Sequence, residues 1–581
     1  MGFIHGALLF VPLAWVASQA WALYRNYQAA RTTGLPIIIC PYDPENFFHV
    51  IFSVPLRPVF KFVLPRALYT TVRITTYGWE FPDKSATHDA IGPSFMIVSP
   101  GMNQLITADP AVAHAVAMRR KDFLQTPISA KVMGFLGANI VTSNGDNWSR
   151  QRRIVAPALN ERISRTVWAE TAEQATRLAE MVLSCPGGKT SDTIPALRTI
   201  AINVLSRVAY GHRKPFALAK LPDRPDAEMS YVDAISLCTE LLVFAAMVPG
   251  YVLRLPFMPN VARTLGAALQ RLPGLTADML DQERRRIAAP HGRSPDADGA
   301  APDTIMSTLV RLSDEAKTDG GPGVKGTAAG KSYLAEEEIA GNLFIFTAAG
   351  FDTTANTMAY AVALLAVNPE WQGWIQAELD AVLGPIEEEG EVPDYATVYP
   401  RLTRCLAVMF ETLRVCPPVT HLMRITETAQ SLPTADPDET FALPGPCVVY
   451  VNHVALHTSR STWGDEALEF KPTRWIRPPS TDEAAAAACS EGTGLVTPPR
   501  GTFLPWSAGP RACPGQKMSQ VEFVTTVATL FRRCRVEPVA RPGETAEEAR
   551  GRLMGLVEDS QSALTLQMKR PEDFYVRWVR R

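Results

Sequence analysis

The sequence has no paired cysteine motif and no surplus of charge. Its nine cysteines are an odd number scattered through 581 residues, and none forms a Cys-x-x-Cys pair. This pattern disfavours a disulfide framework and a zinc site built on paired cysteines. With 57 Lys and Arg against 59 Asp and Glu, the net charge of −2 provides no overall attraction to nucleic acid. Because 46% of the residues are hydrophobic, the chain can bury a large core and is not disordered or collagen-like.

Long hydrophobic runs are also scarce, and the clearest one occupies the N-terminus. Residues 3–24 are almost wholly apolar, and these 22 residues at about 1.5 Å each span roughly 33 Å, close to a bilayer core. A single membrane-spanning helix is the natural interpretation. The alternative is a cleaved signal peptide, but the run is long and no basic n-region precedes it.

Charge around this run predicts its orientation. No Lys or Arg precedes it, whereas Arg25 and Arg31 follow it, so the body is expected in the cytosol and the N-terminus in the lumen. We therefore predict a membrane anchor at 1–25, a Pro-rich linker at 26–44 and a globular domain at 45–581.

Helical patterns dominate the rest of the chain. Short β-rich runs are few, the clearest at 95–99, 104–107 and 447–451. The longest helical pattern covers 334–367 and is apolar nearly all round, which suits either a core helix or a second membrane span. Asp352 lies within it, and an ionisable group inside a span costs a few kcal/mol, which favours the core helix. The sequence predicts a mainly α fold with small β-sheets.

A loop with metal-binding character stands near the C-terminus, at residues 503–515 (FLPWSAGPRACPG). Cys513 lies where a helix is predicted to begin, and backbone N–H groups there favour the thiolate, the form that binds metals. Gly515 would let a flat ligand approach the backbone, and Arg511 offers a cation to an anionic group. Taken by themselves, these residues suit a buried inert cysteine better than a ligand.

The loop resembles the haem-binding loop of the cytochrome P-450 superfamily, whose pattern is Phe-x-x-Gly-x-Arg-x-Cys-x-Gly, with Trp506 in place of the Phe. Four further motifs of that family follow one another in the expected order. They are Trp148 and Arg152 of Trp-x-x-x-Arg, residues 349–354 (AGFDTT) of the distal helix, Glu411 and Arg414 of Glu-x-x-Arg, and Arg474 within residues 470–475 (FKPTRW). Each motif is weak alone, but five in order are specific. The resemblance covers about residues 45–581.

The resemblance implies a cytochrome P-450 fold, preceded by the one N-terminal transmembrane helix, and a haem b cofactor. Cys513 would be the thiolate ligand of the iron, which favours O–O cleavage on the opposite face. The haem propionates need cationic or N–H partners. The residues expected to bind the cofactor are Trp148, Arg152, Arg424, Trp506, Arg511 and Gly515.

Two further groups of residues take roles from the resemblance. Asp352 and Thr353 form an acid and alcohol pair expected to relay protons to the haem site. Glu411, Arg414 and Arg474 are expected to form a buried ion network that supports the fold and the haem pocket, since breaking such a network is costly.

Four basic side chains near these motifs receive no role in the site. We interpret Arg150 and Arg153 as a solvated basic face, which would still suit an acidic electron donor. We interpret His453 and His457 as surface or loop histidines rather than ligands.

The expected activity is that of a microsomal haem-thiolate monooxygenase in the endoplasmic reticulum membrane, with a cytosolic catalytic domain. Such an enzyme takes electrons from NADPH through cytochrome P-450 reductase, or from cytochrome b5, and inserts oxygen into an apolar small molecule. The run at 137–142 and the insertion before the haem loop resemble filamentous-fungal members, many of which act in secondary metabolism. Two alternatives stay open: a haem-thiolate isomerase or dehydratase that needs no external electrons, and a cofactor-free binding protein tethered to the membrane.

Overall fold

The computed structural model describes residues 2–218, 222, 224–288, 304–319, 333–384, 394–434, 439–477 and 494–581. The insertion before the haem loop is predicted over residues 478–501. Of these, residues 478–493 lie outside the described residues. The chain forms two compact units. Unit 1 comprises Met1–Ile128, Val419–Glu469 and Pro498–Cys513, and unit 2 comprises Ser129–Pro418, Phe470–Thr497 and Pro514–Arg581.

Helices dominate both units, as predicted. In chain order they are α1 (Gly2–Arg31), α2 (Phe47–Phe52), α3 (Arg57–Val63), α4 (Arg66–Thr75), α5 (Glu80–Asp83), α6 (Ala86–Ile91), α7 (Pro110–Met118), α8 (Pro127–Met133), α9 (Gly145–Val155), α10 (Glu161–Ser184), α11 (Thr193–Tyr210), α12 (Tyr231–Glu240), α13 (Leu242–Met247), α14 (Gly250–Leu253), α15 (Asn260–Ala288), α16 (Ile305–Asp319), α17 (Glu336–Val367), α18 (Pro369–Leu383), α19 (Tyr395–Val398), α20 (Thr403–Val415), α21 (His453–Thr458), α22 (Arg460–Trp463), α23 (Gln516–Arg533) and α24 (Ala546–Glu558).

The strands are short. They are β1 (Ile37–Ile39), β2 (Ser94–Val98), β3 (Asn103–Thr107), β4 (Lys189–Thr190), β5 (His421–Thr426), β6 (Gln430–Pro433), β7 (Thr440–Leu443), β8 (Cys447–Asn452), β9 (Cys534–Pro538), β10 (Ser560–Ser562), β11 (Leu566–Met568) and β12 (Val576–Arg580). The strands predicted at 95–99, 104–107 and 447–451 are confirmed as β2, β3 and β8, each displaced by at most one residue.

Unit 1 is built around a five-stranded sheet in the order β1-β2-β3-β8-β5. β3 runs parallel to β8, and β5 runs antiparallel to β8 with Arg424 opposite Val449. Every residue of β2, β3 and β8 is buried, so both faces of the sheet are covered. A second, two-stranded sheet pairs β6 with β7.

The C-terminal end of α1 packs onto this sheet. The side-chain amide of Asn26 donates to the Ser99 carbonyl at 2.8 Å, and the amide of Asn103 donates to the Asn26 carbonyl at 2.9 Å. Ala30 is fully buried. The predicted linker at 26–44 therefore includes the end of α1 and all of β1. Among the described residues, no helix combines the length and hydropathy needed to cross a membrane.

Unit 2 is organised around α17, which packs along α11, while α10 packs along α23. The core-helix interpretation is confirmed, because α17 is buried at most of its 32 positions. Three Glu residues occupy its first turn, where acidic groups complement the helix dipole. One of them, Glu338, also accepts a hydrogen bond from the Ala335 N–H at 2.9 Å. The helix begins two residues later than the pattern predicts.

Candidate active site

The Cys513 loop is seated against the end of α7. Gly509 has a φ of +67°, and a Cβ there would lie 2.7 Å from the Ala117 carbonyl oxygen and 2.9 Å from the Met118 sulfur. Only glycine fits both the positive φ and the close approach. The Cys513 N–H then donates to the Trp506 carbonyl at 2.8 Å. These contacts fix the path of the backbone that presents the Cys513 side chain.

Cys513 is the one exposed cysteine among those the structure describes; the other seven are buried or partly buried. A free cysteine behaves as a small apolar residue and is usually buried, so an accessible thiol here needs a reason. α23 begins three residues later, at Gln516. A helix N-terminus favours the thiolate, which is the soft ligand that a haem iron accepts.

A buried arginine and a partly buried arginine of unit 1 lie within electrostatic range of each other. Arg424 on β5 is 7% exposed and donates to the Gln125 side-chain oxygen at 3.0 Å. Burial and the charge of Arg511 lower the pKa of Arg424 to about 9. Burial and the charge of Arg120 lower the pKa of Arg511 to about 10. Both groups stay cationic at neutral pH, and two neighbouring cations, one buried and one partly buried, suit a ligand with two carboxylates, as haem has.

Trp148 and Arg152 lie on α9 in unit 2, one turn apart and therefore on one face. The helix is held by Arg150, whose guanidinium pairs with Glu338 at 2.9 Å. Arg150 is only 5% exposed, so its interpretation as part of a solvated face was wrong. The side chain reaches a carboxylate that the sequence places 188 residues away. Arg153 is exposed, as predicted.

The structure brings Glu411, Arg414 and Arg474 together in unit 2. Arg414 donates two hydrogen bonds to the two Glu411 carboxylate oxygens, both at 2.9 Å, and Arg474 donates a third at 2.9 Å. The Lys471 N–H and the Trp475 indole N–H complete the set at 2.8 and 2.9 Å. Glu411 and Arg414 are fully buried, so the carboxylate replaces lost hydration with five donors.

One face of α17 stays accessible although the rest of the helix is buried. From residue 341 to residue 366 the residues that are not buried are Phe346, Ala349, Gly350, Thr353 and Asn356. Their spacing of three or four residues places them on one side of the helix. This side combines the aromatic ring of Phe346 with the hydroxyl of Thr353, which suits the approach of an apolar ligand that carries a polar group.

Asp352 lies next to this face and is buried. Its carboxylate accepts a hydrogen bond from the Thr565 hydroxyl at 2.6 Å and lies 3.4 Å from the Arg198 guanidinium. Burial raises the pKa of Asp352, although Arg198 and Thr565 partly oppose the increase. Thr353 instead donates to the Ala349 carbonyl at 2.7 Å. No hydrogen bond joins Asp352 to Thr353 within the described chain.

Asp352 also lines a cavity of about 330 Å³ in unit 2, together with Arg198, Glu240, Asn356, Gln567 and Lys569. Glu240 shares the Arg198 guanidinium with Asp352, at 3.0 Å. The sequence offered no sign of these neighbours, because none belongs to a motif. The cavity is polar enough to hold water beside the Asp352 carboxyl.

The two histidines predicted at the surface are both buried, so that prediction was wrong. His457 is 0% exposed, and its Nε2 accepts a hydrogen bond from the Leu504 N–H at 2.9 Å. His453 is 2% exposed and donates from Nδ1 to the Val419 carbonyl at 3.0 Å. His457 thus satisfies a backbone N–H of the buried Leu504, and His453 bonds to the backbone of a neighbouring segment.

Comparison with known proteins establishes the family. The sequence model of the cytochrome P450 family matches residues 73–559. The chain belongs to the cytochrome P450 family. It is 32% identical to the phomenoic acid biosynthesis cluster cytochrome P450 monooxygenase of Leptosphaeria maculans, over 93% of each chain. It is 28% identical to a cytochrome P450 monooxygenase of Penicillium roqueforti, over 87% of each chain.

The fold agrees with this assignment. A solved zebrafish cytochrome P450 structure with abiraterone superposes with a TM-score of 0.59 at 18% identity, over 86% of this chain and 98% of that one. The resemblance drawn from the five motifs is confirmed. This P450 is an oxidoreductase of the monooxygenase type whose cofactor is a haem with a thiolate-bound iron. The alternative of a cofactor-free binding protein is thereby removed.

Proposed function

We propose that this P450 is a monooxygenase of fungal secondary metabolism that inserts one oxygen atom into an apolar small molecule. The observation that carries the proposal is the 32% identity, across 93% of both chains, to a monooxygenase named for a biosynthetic cluster. The overall reaction consumes substrate, O₂, NADPH and a proton, and yields hydroxylated product, water and NADP⁺. The accessible face of α17, with Phe346 beside Ala349, supports an apolar substrate.

In this proposal Cys513 would supply the thiolate that binds the haem iron. Arg424, Arg511, Trp148 and Arg152 would bind the haem propionates, as the family resemblance implies. Trp506 and Gly515 would help to hold the cofactor from the same stretch of chain as Cys513. When bound, haem supplies the reductive activation of O₂ and the transfer of one oxygen atom.

Asp352 and Thr353 deliver the protons that the reaction consumes. Burial raises the pKa of Asp352, which helps its carboxyl group to hold a proton. The neighbouring cavity of about 330 Å³ can hold water, from which the Asp352 carboxylate takes up a new proton. Since no described hydrogen bond links the two side chains, a water molecule completes the path to the Thr353 hydroxyl. Thr353 lies on the accessible face and passes the proton on.

The proposed location is the endoplasmic reticulum membrane, with one N-terminal span at 1–25 and the catalytic domain in the cytosol. The apolar run at 3–24 and the placement of Arg25 and Arg31 support this arrangement. A cytosolic body would meet a membrane-bound NADPH-cytochrome P450 reductase, or cytochrome b5, as electron donor.

Turnover tests the proposal. The purified P450, its reductase, NADPH and a panel of apolar polyketide-like and terpenoid compounds are incubated under ¹⁸O₂, and products are analysed by mass spectrometry. A monooxygenase product gains one labelled oxygen atom and requires NADPH. Conversion without NADPH and without label would instead favour the haem-thiolate isomerase or dehydratase.

A further inference from the structure

A buried carboxylate that belongs to none of the five family motifs accepts hydrogen bonds from the five-stranded sheet of unit 1. Glu80, the first residue of α5, is 0% exposed. Its Oε1 accepts hydrogen bonds from His421 Nδ1 and from the Tyr450 hydroxyl, and the Thr420 hydroxyl donates at 3.3 Å. A carboxylate with no exposure is tolerated only when donors replace its hydration. Glu80 therefore joins α5 to β5 and β8.

The residues that donate to Glu80 from β5 and from the position before it, Thr420 and His421, lie at the start of this strand. His453 holds the same segment from another direction: its backbone N–H donates to the Thr420 carbonyl at 3.0 Å, and its Nδ1 donates to the Val419 carbonyl at 3.0 Å. Three successive residues, 419–421, are thus each fixed by Glu80 or His453. His421 also stacks on Tyr450 with ring centres 4.2 Å apart. A strand entrance held at this many points has little freedom to shift.

β5 carries Arg424, three residues beyond His421. The guanidinium of Arg424 donates to the Gln125 side chain and acts electrostatically on Arg511, a second cation. Like charges that approach in a buried environment repel each other strongly. Without an anion between them, the side chains of Arg424 and Arg511 tend to separate. The β5 backbone that carries Arg424 must therefore be held in place to keep the two cations close together.

We propose that Glu80 is a positioning residue that fixes the start of β5 through His421, Thr420 and Tyr450, and so holds Arg424 beside Arg511 for the haem carboxylates. The proposal rests on the propionate-binding role of Arg424 proposed above. Glu80 itself does not touch the cofactor. It acts through β5. Its removal should therefore increase the rate of haem loss more than it changes substrate oxidation.

The test uses the full-length holoprotein and measures the rate at which haem transfers to excess apomyoglobin. Glu80→Gln keeps the size of the side chain and an oxygen that can accept at the Oε1 position, but it loses the negative charge that strengthens the bonds from His421 and Tyr450. We expect transfer to accelerate by about tenfold, a ratio within the coupling range of residues in one buried network. If Glu80→Gln does not fold, Tyr450→Phe removes a single donor and should accelerate transfer by about threefold.

Asp83→Asn is the matched control. Asp83 lies in the same short helix, is 7% exposed and accepts from the Thr87 N–H and hydroxyl at 2.9 and 2.8 Å, away from β5. Its substitution should leave haem transfer within about twofold of the unsubstituted protein. Equal acceleration by Asp83→Asn would show that general loosening of unit 1 releases haem, and would overturn the proposal.

A double-variant cycle separates this inference from the proposal on which it rests. If Glu80 acts through Arg424, Glu80→Gln should add nothing to the faster transfer of Arg424→Gln. Additive effects, or no effect of Glu80→Gln while Arg424→Gln accelerates transfer, would overturn only the role of Glu80. No effect of Arg424→Gln would overturn the propionate role of Arg424 and the inference with it.

Discussion

Glu522 on α23 should make the stability of this P450 fall as pH rises. The side chain is 2% exposed, and its Oε1 has no hydrogen-bond partner among the described residues. Burial raises the pKa of Glu522 to about 8 from its ordinary 4.5. Between these two values the unfolded chain releases the proton while the folded protein keeps it.

The magnitude follows from proton linkage. The raised pKa lies above the unfolded value, so the stability this group provides is fully present below pH 4.5 and is lost as pH rises toward 8. Each pH unit costs about 1.4 kcal/mol, and the whole interval costs about 5 kcal/mol. Glu522→Gln removes the titration. The variant should match the unsubstituted protein near pH 5 and exceed it by up to about 5 kcal/mol at pH 8.

Urea unfolding of the holoprotein, followed by circular dichroism at several pH values, measures this difference. Glu180→Gln serves as control, because Glu180 is 48% exposed and pairs with Arg177 at 3.0 Å on the surface. That variant should differ from the unsubstituted protein by less than about 1 kcal/mol at every pH. A stability gain from Glu522→Gln that does not grow between pH 5 and pH 8 would refute the reasoning.

Further predictions concern the ligand, the relay, the ion network and the topology. Cys513→Ser should abolish the red-shifted Soret band of the reduced carbon monoxide complex, and survival of that band would exclude Cys513 as ligand. Thr353→Ala should retain haem, but a larger share of the consumed NADPH should yield peroxide instead of hydroxylated product. An unchanged ratio of product to consumed NADPH would remove Thr353 from the relay. Glu411→Gln should destabilise the protein by about 3–5 kcal/mol in urea, because the buried Arg414 and the partly buried Arg474 lose their counter-charge. A loss no larger than that of Glu180→Gln would contradict the network. Asn147, exposed within the sequon 147–149, should carry no glycan in a eukaryotic host; a mobility shift abolished by Asn147→Gln would place the body in the lumen.

The sequence predicts those parts of the fold whose signals are local. β2, β3 and β8 are β-rich runs, and α17 carries its own start signal, three Glu residues in the first turn. The Cys513 loop was recognisable because its residues are contiguous. In each case the residues that determine the structure lie within a few positions of one another.

Partners that come from distant positions could not be predicted. Thr565 donates to Asp352 across 213 residues, and Arg150 reaches Glu338 across 188. The basic residues around Arg150 predict a solvent-exposed side chain, because the sequence does not show that the fold places the Glu338 carboxylate beside it. His453 and His457 likewise became buried because backbone groups on other segments need a donor or an acceptor.

The order of the strands in unit 1 has a consequence for biosynthesis. β2 and β3 form a hairpin early in the chain, but β3 gains its other partner only when β8 is made, about 340 residues later. At about 5–20 residues per second, the ribosome needs roughly 20–70 s to supply that strand. During this interval β3 lacks one of its two strand partners, and an unpaired strand edge can pair with other chains. Chaperones that shield this edge during synthesis should therefore raise the yield of folded protein.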